Sequence, residues 1–364
     1  MQKVKFDTSE IKAKLKRKIN SFFANDVGID LGTANTLVYV SGKGVVINEP
    51  SIVAINQKTG QVVAVGENAK AMLGRTPEHI QAVQPLVDGV ISDYEVTEEM
   101  LSYLIRKAQG GSSKLFGPRV VVGVPSGITN VEVRAVQDAA KSAGAREVYI
   151  IEEPMAAAIG IGLPVHEPTG SMVLDIGGGT TDIGVVSLGG LVNTRNVRIA
   201  GDKLNANIKE YIRQEFKILI GDKTAEEIKL KVASVEEGDD ETSTTVRGRD
   251  LVSGLPREII ITSADIKDAI LPSIERLVEA TKEVLETTPP EIVADIYKRG
   301  IYVCGGGAQI KGIDKLISKS LSVKAQIADE PLYAVVRGAG MVLEDLDKFK
   351  DILITSSQEL TPNV

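Results

Sequence analysis

Two stretches of this chain carry one pattern, and the repetition constrains the fold more than any other feature. Residues 173–186, VLDIGGGTTDIGVV, run apolar to Asp175, break on Gly177, Gly178, Gly179, Thr180 and Thr181, and turn apolar again. Residues 27–40, VGIDLGTANTLVYV, do the same around Asp30 and the turn Gly32, Thr33, Ala34, Asn35. Each reads as strand, turn, strand. Glycines in such a turn adopt backbone angles closed to other residues and let main-chain N–H groups approach an anion, which is the chemistry of a phosphate cradle. A carboxylate at the strand end can hold hydrated Mg²⁺, which prefers oxygen ligands and keeps several waters. One copy alone is equally what a plain glycine-rich hairpin looks like. Two copies, with aspartates 145 residues apart, point to related halves facing each other across a cleft, Asp30 and Asp175 converging largely through water on one metal–phosphate group. A third cluster, Gly305, Gly306, Gly307 and Ala308, follows the apolar residues 301–304, as nucleotide loops do where an α/β sheet opens. Neither GxxxxGK[ST] nor GxGxxG after a first strand is present, which disfavours a Walker loop and a Rossmann site.

Five elements in this order resemble the actin-like ATPase superfamily. They are a first phosphate loop at 30–35, a connecting segment IEEPMAAAIG at 151–160, a second phosphate loop at 175–182, an adenosine loop at 305–308 and a second connecting segment at 331–340. Within the superfamily, IDLGTANTLVYV, KGVVINEPSIVAI, IEEPMAAAIG, SGLPREI and RGAGMVL are similar to the MreB family of bacterial actin homologues, from about Asp26 to Lys350. The resemblance implies an α/β, actin-like ATPase fold of two lobes, each a duplicated core subdomain plus a small inserted one. The expected partition is 26–44, 88–157 and 341–354 for the first core with 45–87 inserted, and 158–199 and 262–340 for the second with 200–261 inserted. It implies ATP and Mg²⁺ as ligands and Glu153, just before Pro154, as the carboxylate that polarises the attacking water, with Thr180 as its hydroxyl partner. Glu152 is read as a surface or helix N-terminal acid. Gly201 and Asp202 open a helix near the nucleotide, and Glu226 and Lys229 match the family's adenosine pair, which i, i+3 spacing places on one face. Taken without the family, that pair is a solvated ion pair. Two positions depart from the family pattern: Asn205 stands where GDxMD usually ends in aspartate, and Glu227 where arginine is usual.

The composition agrees. A 364-residue chain with 43% hydrophobic residues can bury a large core in more than one domain. One cysteine, Cys304, excludes an internal disulfide and reads as a small buried residue in a reducing compartment. No apolar run reaches the roughly 18 residues of a membrane span, so a soluble protein is expected. His79 and His166 are the only histidines, which disfavours a histidine metal site or a Ser-His-Asp triad.

Residues 1–25 stand apart. Seven Lys and Arg against Asp7 and Glu10 give them a charge of +5, leaving −12 on the remainder. On a helix capped near Thr8 and Ser9, the residues Ile11, Leu15, Ile19, Phe22 and Phe23 share one arc and Lys14, Arg17 and Lys18 lie off it. Either this helix anchors on anionic lipid or it packs on the body or a partner. Leu115 and Phe116 lie side by side in the polar loop at 110–118; they tuck into the core or insert into a bilayer, and in the resembled family a hydrophobic loop here is a membrane-insertion loop. Helices are expected over 96–107, 130–143, 204–218, 224–232, 264–285 and 290–297, and the polar run 236–245 reads as a loop or hairpin tip. The tail, 355–364, receives no function.

The expected protein is thus a filament-forming ATPase on the inner face of the cell membrane, assembled with itself in paired antiparallel protofilaments, working with cell-shape and wall-synthesis proteins and with no nucleic acid. A chaperone-type ATPase or a small-molecule kinase on the same fold is the alternative. The first needs a peptide-binding domain that the residues after Lys350 are not expected to supply, and the second needs a base for a substrate hydroxyl.

Overall fold

The computed structural model describes residues 25–110, 117–236, 238 and 242–354. The membrane-directed residues Ile11, Leu15, Ile19, Phe22, Phe23, Leu115 and Phe116 and the tail lie outside that set.

Two five-stranded sheets form the frame, and they have one topology. The first runs Glu147–Glu152, Arg119–Val124, Val27–Leu31, Asn35–Val40, Gly44–Pro50; the second runs Ala325–Ile327, Ile301–Cys304, Ser171–Ile176, Thr181–Ser187, Gly190–Val197. In both, the first three strands are parallel and the last three form an antiparallel meander. The parallel strands are apolar on both faces, with Val27, Ile29, Val120, Val121 and Val122 fully buried, as a sheet covered on both sides requires. Helices Tyr94–Ala108 and Asn130–Ser142 pack on one face of the first sheet, and Gly201–Phe216, Ser263–Thr287 and Ile313–Leu321 on the corresponding face of the second. Each sheet hands off a smaller one: Val53–Asn56 between Val62–Val65 and Ile80–Val83, and Ser243–Asp250 between Ile218–Leu219 and Pro256–Thr262.

Between the two sheets lie helices Glu153–Ile161 and Ala334–Glu344, whose shared core joins Val121 and Ile151 of one sheet to Val173, Val186 and Cys304 of the other. The first is apolar all round, residues 155–159 being buried, as expected of a helix with protein on every side. Glycine sets their separation. A Cβ on Gly160 would overlap the carbonyl oxygen of Ala334, one on Gly338 that of Ala156, and one on Gly28 would come within 2.8 Å of the Gly340 nitrogen.

Two elements differ from the sequence reading. The helix expected over 204–218 spans Gly201–Phe216, because Lys217 turns left-handed at φ 58° and releases Ile218–Leu219 to pair with Asp250 and Arg249. The polar run 236–245 enters a strand by Ser243, where cross-strand pairing to Thr262 overrides local composition.

The crossing yields a prediction. Gly338→Ala should destabilise by about 1–3 kcal/mol, the usual cost of overpacking. Gly221→Ala, where nothing lies within 4 Å of an added methyl, should stay within about 1 kcal/mol. Urea denaturation compares them, and equal effects would show that the crossing has slack.

Candidate functional site

Both glycine turns arrive at the same place. A Cβ on Gly178 would stand 3.0 Å from the Ala34 nitrogen, and one on Gly179 would stand 2.7 Å from Thr33 Oγ1, so the second turn lies directly against the first. Ser51 fixes the first turn, its N–H donating to the Ala34 carbonyl at 2.9 Å and its Oγ to that of Gly32 at 2.6 Å. The Gly177 N–H closes the second turn on the Thr180 carbonyl at 2.9 Å. Above Thr33 sits the hairpin turn Asp88-Gly89, both residues at positive φ, whose Gly89 N–H donates to Thr33 Oγ1 at 3.0 Å.

Four carboxyls gather at this junction: Asp30, Glu153, Asp175 and Asp182. Burial pushes Asp30 up to about 7. Burial, then the charges of Asp30 and Asp182, push Asp175 up to about 8, against a hydrogen bond from the Cys304 thiol. Asp182 is pushed up to about 6 by burial, held from going higher by hydrogen bonds from Ser126, Asn196 and Thr180. Glu153, 8% exposed at the start of its helix, is raised well above the carboxylate range by burial and then by Asp182, Asp30 and Asp175. Among the described residues, no lysine or arginine is among the main influences on these four carboxyls. Glu152 stands at the N-cap of the same helix, as the reading of a helix N-terminal acid expected, and is raised by burial and held in part by the Gly127 N–H.

This donor set suits a hard divalent cation. Among the described residues no three acidic, histidine or cysteine groups converge as direct ligands, so Asp30 and Asp175 would hold Mg²⁺ largely through water, which that ion retains readily.

The second turn also seats the residues expected on the adenosine side. Its Gly177 and Gly178 carbonyls accept the N–H groups of Gly201 and Asp202 at 3.1 and 2.8 Å, binding the start of helix Gly201–Phe216. Lys229 Nζ reaches the Gly201 carbonyl at 3.1 Å and Glu226 at 2.8 Å, from helix Asp222–Val232. Burial raises Glu226, but Lys229 and the Asn205 amide outweigh it and hold the carboxyl below its usual value. Asn205 has a physical account here. Its Nδ2 donates to Glu226 at 2.6 Å, where an aspartate would set two carboxylates against each other. Glu227 lies elsewhere, with Thr224, Lys231 and Arg247 around a groove of about 380 Å³.

The third cluster presses on the second strand. A Cβ on Gly305 would overlap Asp175 Oδ1, and one on Gly307 would overlap the Ile176 side chain, whereas Gly306 has only Leu332 within 4 Å. Ala308 is buried in the following turn. Thr181 is fully buried and donates its hydroxyl to the Ile199 carbonyl at 2.7 Å, so its side chain ties the strand to the segment that leads into helix Gly201–Phe216. Sequence reasoning passed over Asp182, Ser126, Ser51 and Asp88-Gly89. A carboxylate inside the apolar strand TDIGVV was the available signal for Asp182; the others carry none.

The acid cluster makes stability depend on pH. These carboxyls keep their protons to higher pH in the folded cleft than in the unfolded chain. The nucleotide-free protein should therefore lose stability as pH rises from about 4 to about 8. Thermal melting at pH 5.5 and pH 8 tests the sign. The melting temperature should be lower at pH 8, and Mg²⁺ with AMPPNP should narrow the gap; a rise without nucleotide would contradict it.

The chain is similar to known proteins along most of its length. The family model described as "MreB/Mbl protein" matches residues 24–351. The cell shape-determining protein Mbl of Bacillus subtilis is 49% identical over 328 residues, covering 90% of this chain and 98% of that one. The cell shape-determining protein MreB of Escherichia coli is 48% identical over 335 residues, covering 91% and 96%. Among solved structures, MreB5 of Spiroplasma citri bound to AMPPNP superposes with a TM-score of 0.85 at 40% identity, covering 90% and 98%, and its ADP-bound form with 0.84. The fold is the actin-like ATPase fold.

Proposed function

Because the chain belongs to the MreB/Mbl family, we propose that it binds and slowly hydrolyses ATP in this cleft, polymerises with that cycle, and organises wall synthesis and rod shape from the inner face of the cell membrane. One observation carries the reading: two phosphate turns from two lobes touch, with Glu153, Asp30, Asp175 and Thr180 gathered around the contact. The nucleotides in the Spiroplasma citri relative support the ligand class.

The turns at 32–35 and 177–180 would cradle the phosphates between them by backbone N–H groups. Mg²⁺, when bound, would offset the phosphate charge and favour the ionised carboxylates of Asp30 and Asp175. Glu153 and Thr180 would hold one water by hydrogen bonds, in line with the γ-phosphate. The water oxygen bonds to phosphorus, the bond to the β-phosphate oxygen breaks, ADP leaves with that electron pair, and the water's proton passes by way of Glu153 to solvent or phosphate. Gly201, Asp202, Glu226, Lys229, Gly306 and Ala308 would bound the adenosine. Since one turn belongs to each lobe, the γ-phosphate clamps them together. Its loss loosens the clamp, which ties filament assembly to the nucleotide.

Two substitutions separate these roles. Asp175→Ala should lose ATP binding and assembly together. Glu153→Ala should bind ATP and form filaments while releasing phosphate about 100-fold more slowly. Titration with labelled ATP, phosphate release and electron microscopy read the three quantities. Equal loss of binding in both would remove the role given to Glu153, and no filaments under any nucleotide would overturn the cytoskeletal reading.

For the membrane, a helix over 8–23 and the Leu115-Phe116 pair are weak anchors singly. Apolar burial and roughly 1 kcal/mol per basic residue near anionic lipid are set against the cost of ordering the segment. Repetition along a filament makes each further contact intramolecular. Co-sedimentation with anionic vesicles should therefore need polymerisation and weaken in salt. Deleting residues 1–25 should reduce it, and adding Leu115→Ser and Phe116→Ser should abolish it. A truncated, doubly substituted protein that polymerises and pellets like the intact one would refute both anchors.

A further inference from the structure

Asp182 has no part in the function proposed above, yet its surroundings are the most constrained in the cleft. It lies on Thr181–Ser187, paired with Asp175 across the hairpin, and is 1% exposed. Its Oδ1 accepts the N–H of Ser126 at 2.7 Å and the Ser126 hydroxyl at 2.6 Å. Its Oδ2 accepts Asn196 Nδ2 at 2.8 Å, and the Thr180 hydroxyl donates to the same carboxyl. Ser126 follows strand Arg119–Val124 of the first sheet, whereas Asp182 and Asn196 belong to the second and Thr180 to the turn of its hairpin. One carboxylate of the second lobe thus takes two hydrogen bonds from the first.

The internal duplication argues that the fold does not need this carboxylate. In the first hairpin Asp30 pairs with Leu37, as Asp175 pairs with Asp182 in the second. Leu37 is buried at 3% exposure. The same frame closes there on an apolar side chain, which is the cheaper solution for a buried position. A carboxylate in the second copy therefore calls for a role outside the frame.

We propose that Asp182 is a positioning residue that couples closure of the two lobes to hydrolysis, gripping Ser126 of the first lobe with one side of its carboxylate while fixing the Thr180 hydroxyl. With its proton committed to Asp182, the Thr180 oxygen keeps its lone pairs for the attacking water, which needs acceptors for its protons. When the lobes part, both Ser126 bonds break. Asp182 is then free to turn, and Thr180 loses its fixed orientation. The closed cleft alone holds the water in line.

This rests on the ATPase reading, and the test separates the two. Ser126→Ala removes the hydroxyl bond and leaves the amide. It should bind ATP within about threefold of the unsubstituted protein and melt near it, yet release phosphate about tenfold more slowly in a single turnover, the worth of one hydrogen bond. Ser126→Thr, which keeps the hydroxyl, should recover most of the rate, and Asp182→Asn should be slowed at least as much as Ser126→Ala. The latch also predicts slow hydrogen exchange at the Ser126 amide in the AMPPNP complex and fast exchange in Asp182→Ala. Unchanged phosphate release in Ser126→Ala and Asp182→Asn would overturn the proposal. So would rates that fall only in step with ATP affinity or melting temperature, or fast exchange at Ser126 in the unsubstituted complex. An unsubstituted protein that binds ATP and releases no phosphate would overturn the ATPase reading and the hydrolytic half of this proposal, while exchange at Ser126 still decides the latch.

Discussion

The close crossing of helices Glu153–Ile161 and Ala334–Glu344 is the constraint on which the remainder rests. Each follows a strand of one sheet and packs on both, so their separation sets how the two sheets face each other. Backbone meets backbone there because Gly160, Gly338, Gly28 and Gly340 carry no Cβ. An interface of this kind resists sliding, since a close-packed interior has few alternative arrangements. It also puts Glu153, first residue of one of the two helices, at the junction of the two glycine turns.

That junction is electrostatically expensive. Four carboxyls share it, burial raises all four, and no basic residue among the described ones is a main influence on them. Such an arrangement is tolerable in an empty cleft when some carboxyls keep their protons, and favourable when positive charge is brought in. Ligand binding and the protonation of the cleft are therefore linked by charge balance. The cost is borne by a rigid frame, not by local flexibility, since the flanking strands are buried on both faces.

The duplication of the sheet makes its asymmetries informative. At the position where the first hairpin carries Leu37, the second carries Asp182; where the first turn has Asn35, the second has Thr180. The second copy holds more of the hydrogen-bonding chemistry, and the first is braced by Ser51 and by Gly89.

Much of this was legible in the residues. The alternation of apolar runs with glycine turns identified both hairpins, because strand burial and glycine-rich turns leave direct local marks. The same holds for helices Tyr94–Ala108 and Asn130–Ser142, whose apolar spacing and caps Asp93 and Thr129 are local signals. Residues whose meaning depends on partners far along the chain were not legible. Ser126 is an unremarkable serine until it meets Asp182, 56 positions later. Thr181 looks like its neighbour Thr180 until the strand pairing turns its hydroxyl to Ile199. Asn205 reads as a lapse from pattern until Glu226 is seen beside it. Sequence alone determined the two hairpins and the glycine-rich turns at their tips, since period and backbone freedom are properties of neighbouring residues. Tertiary structure decided which side chains share the cleft, because hydrogen-bond partners and burial belong to the packing of segments that only the fold brings together.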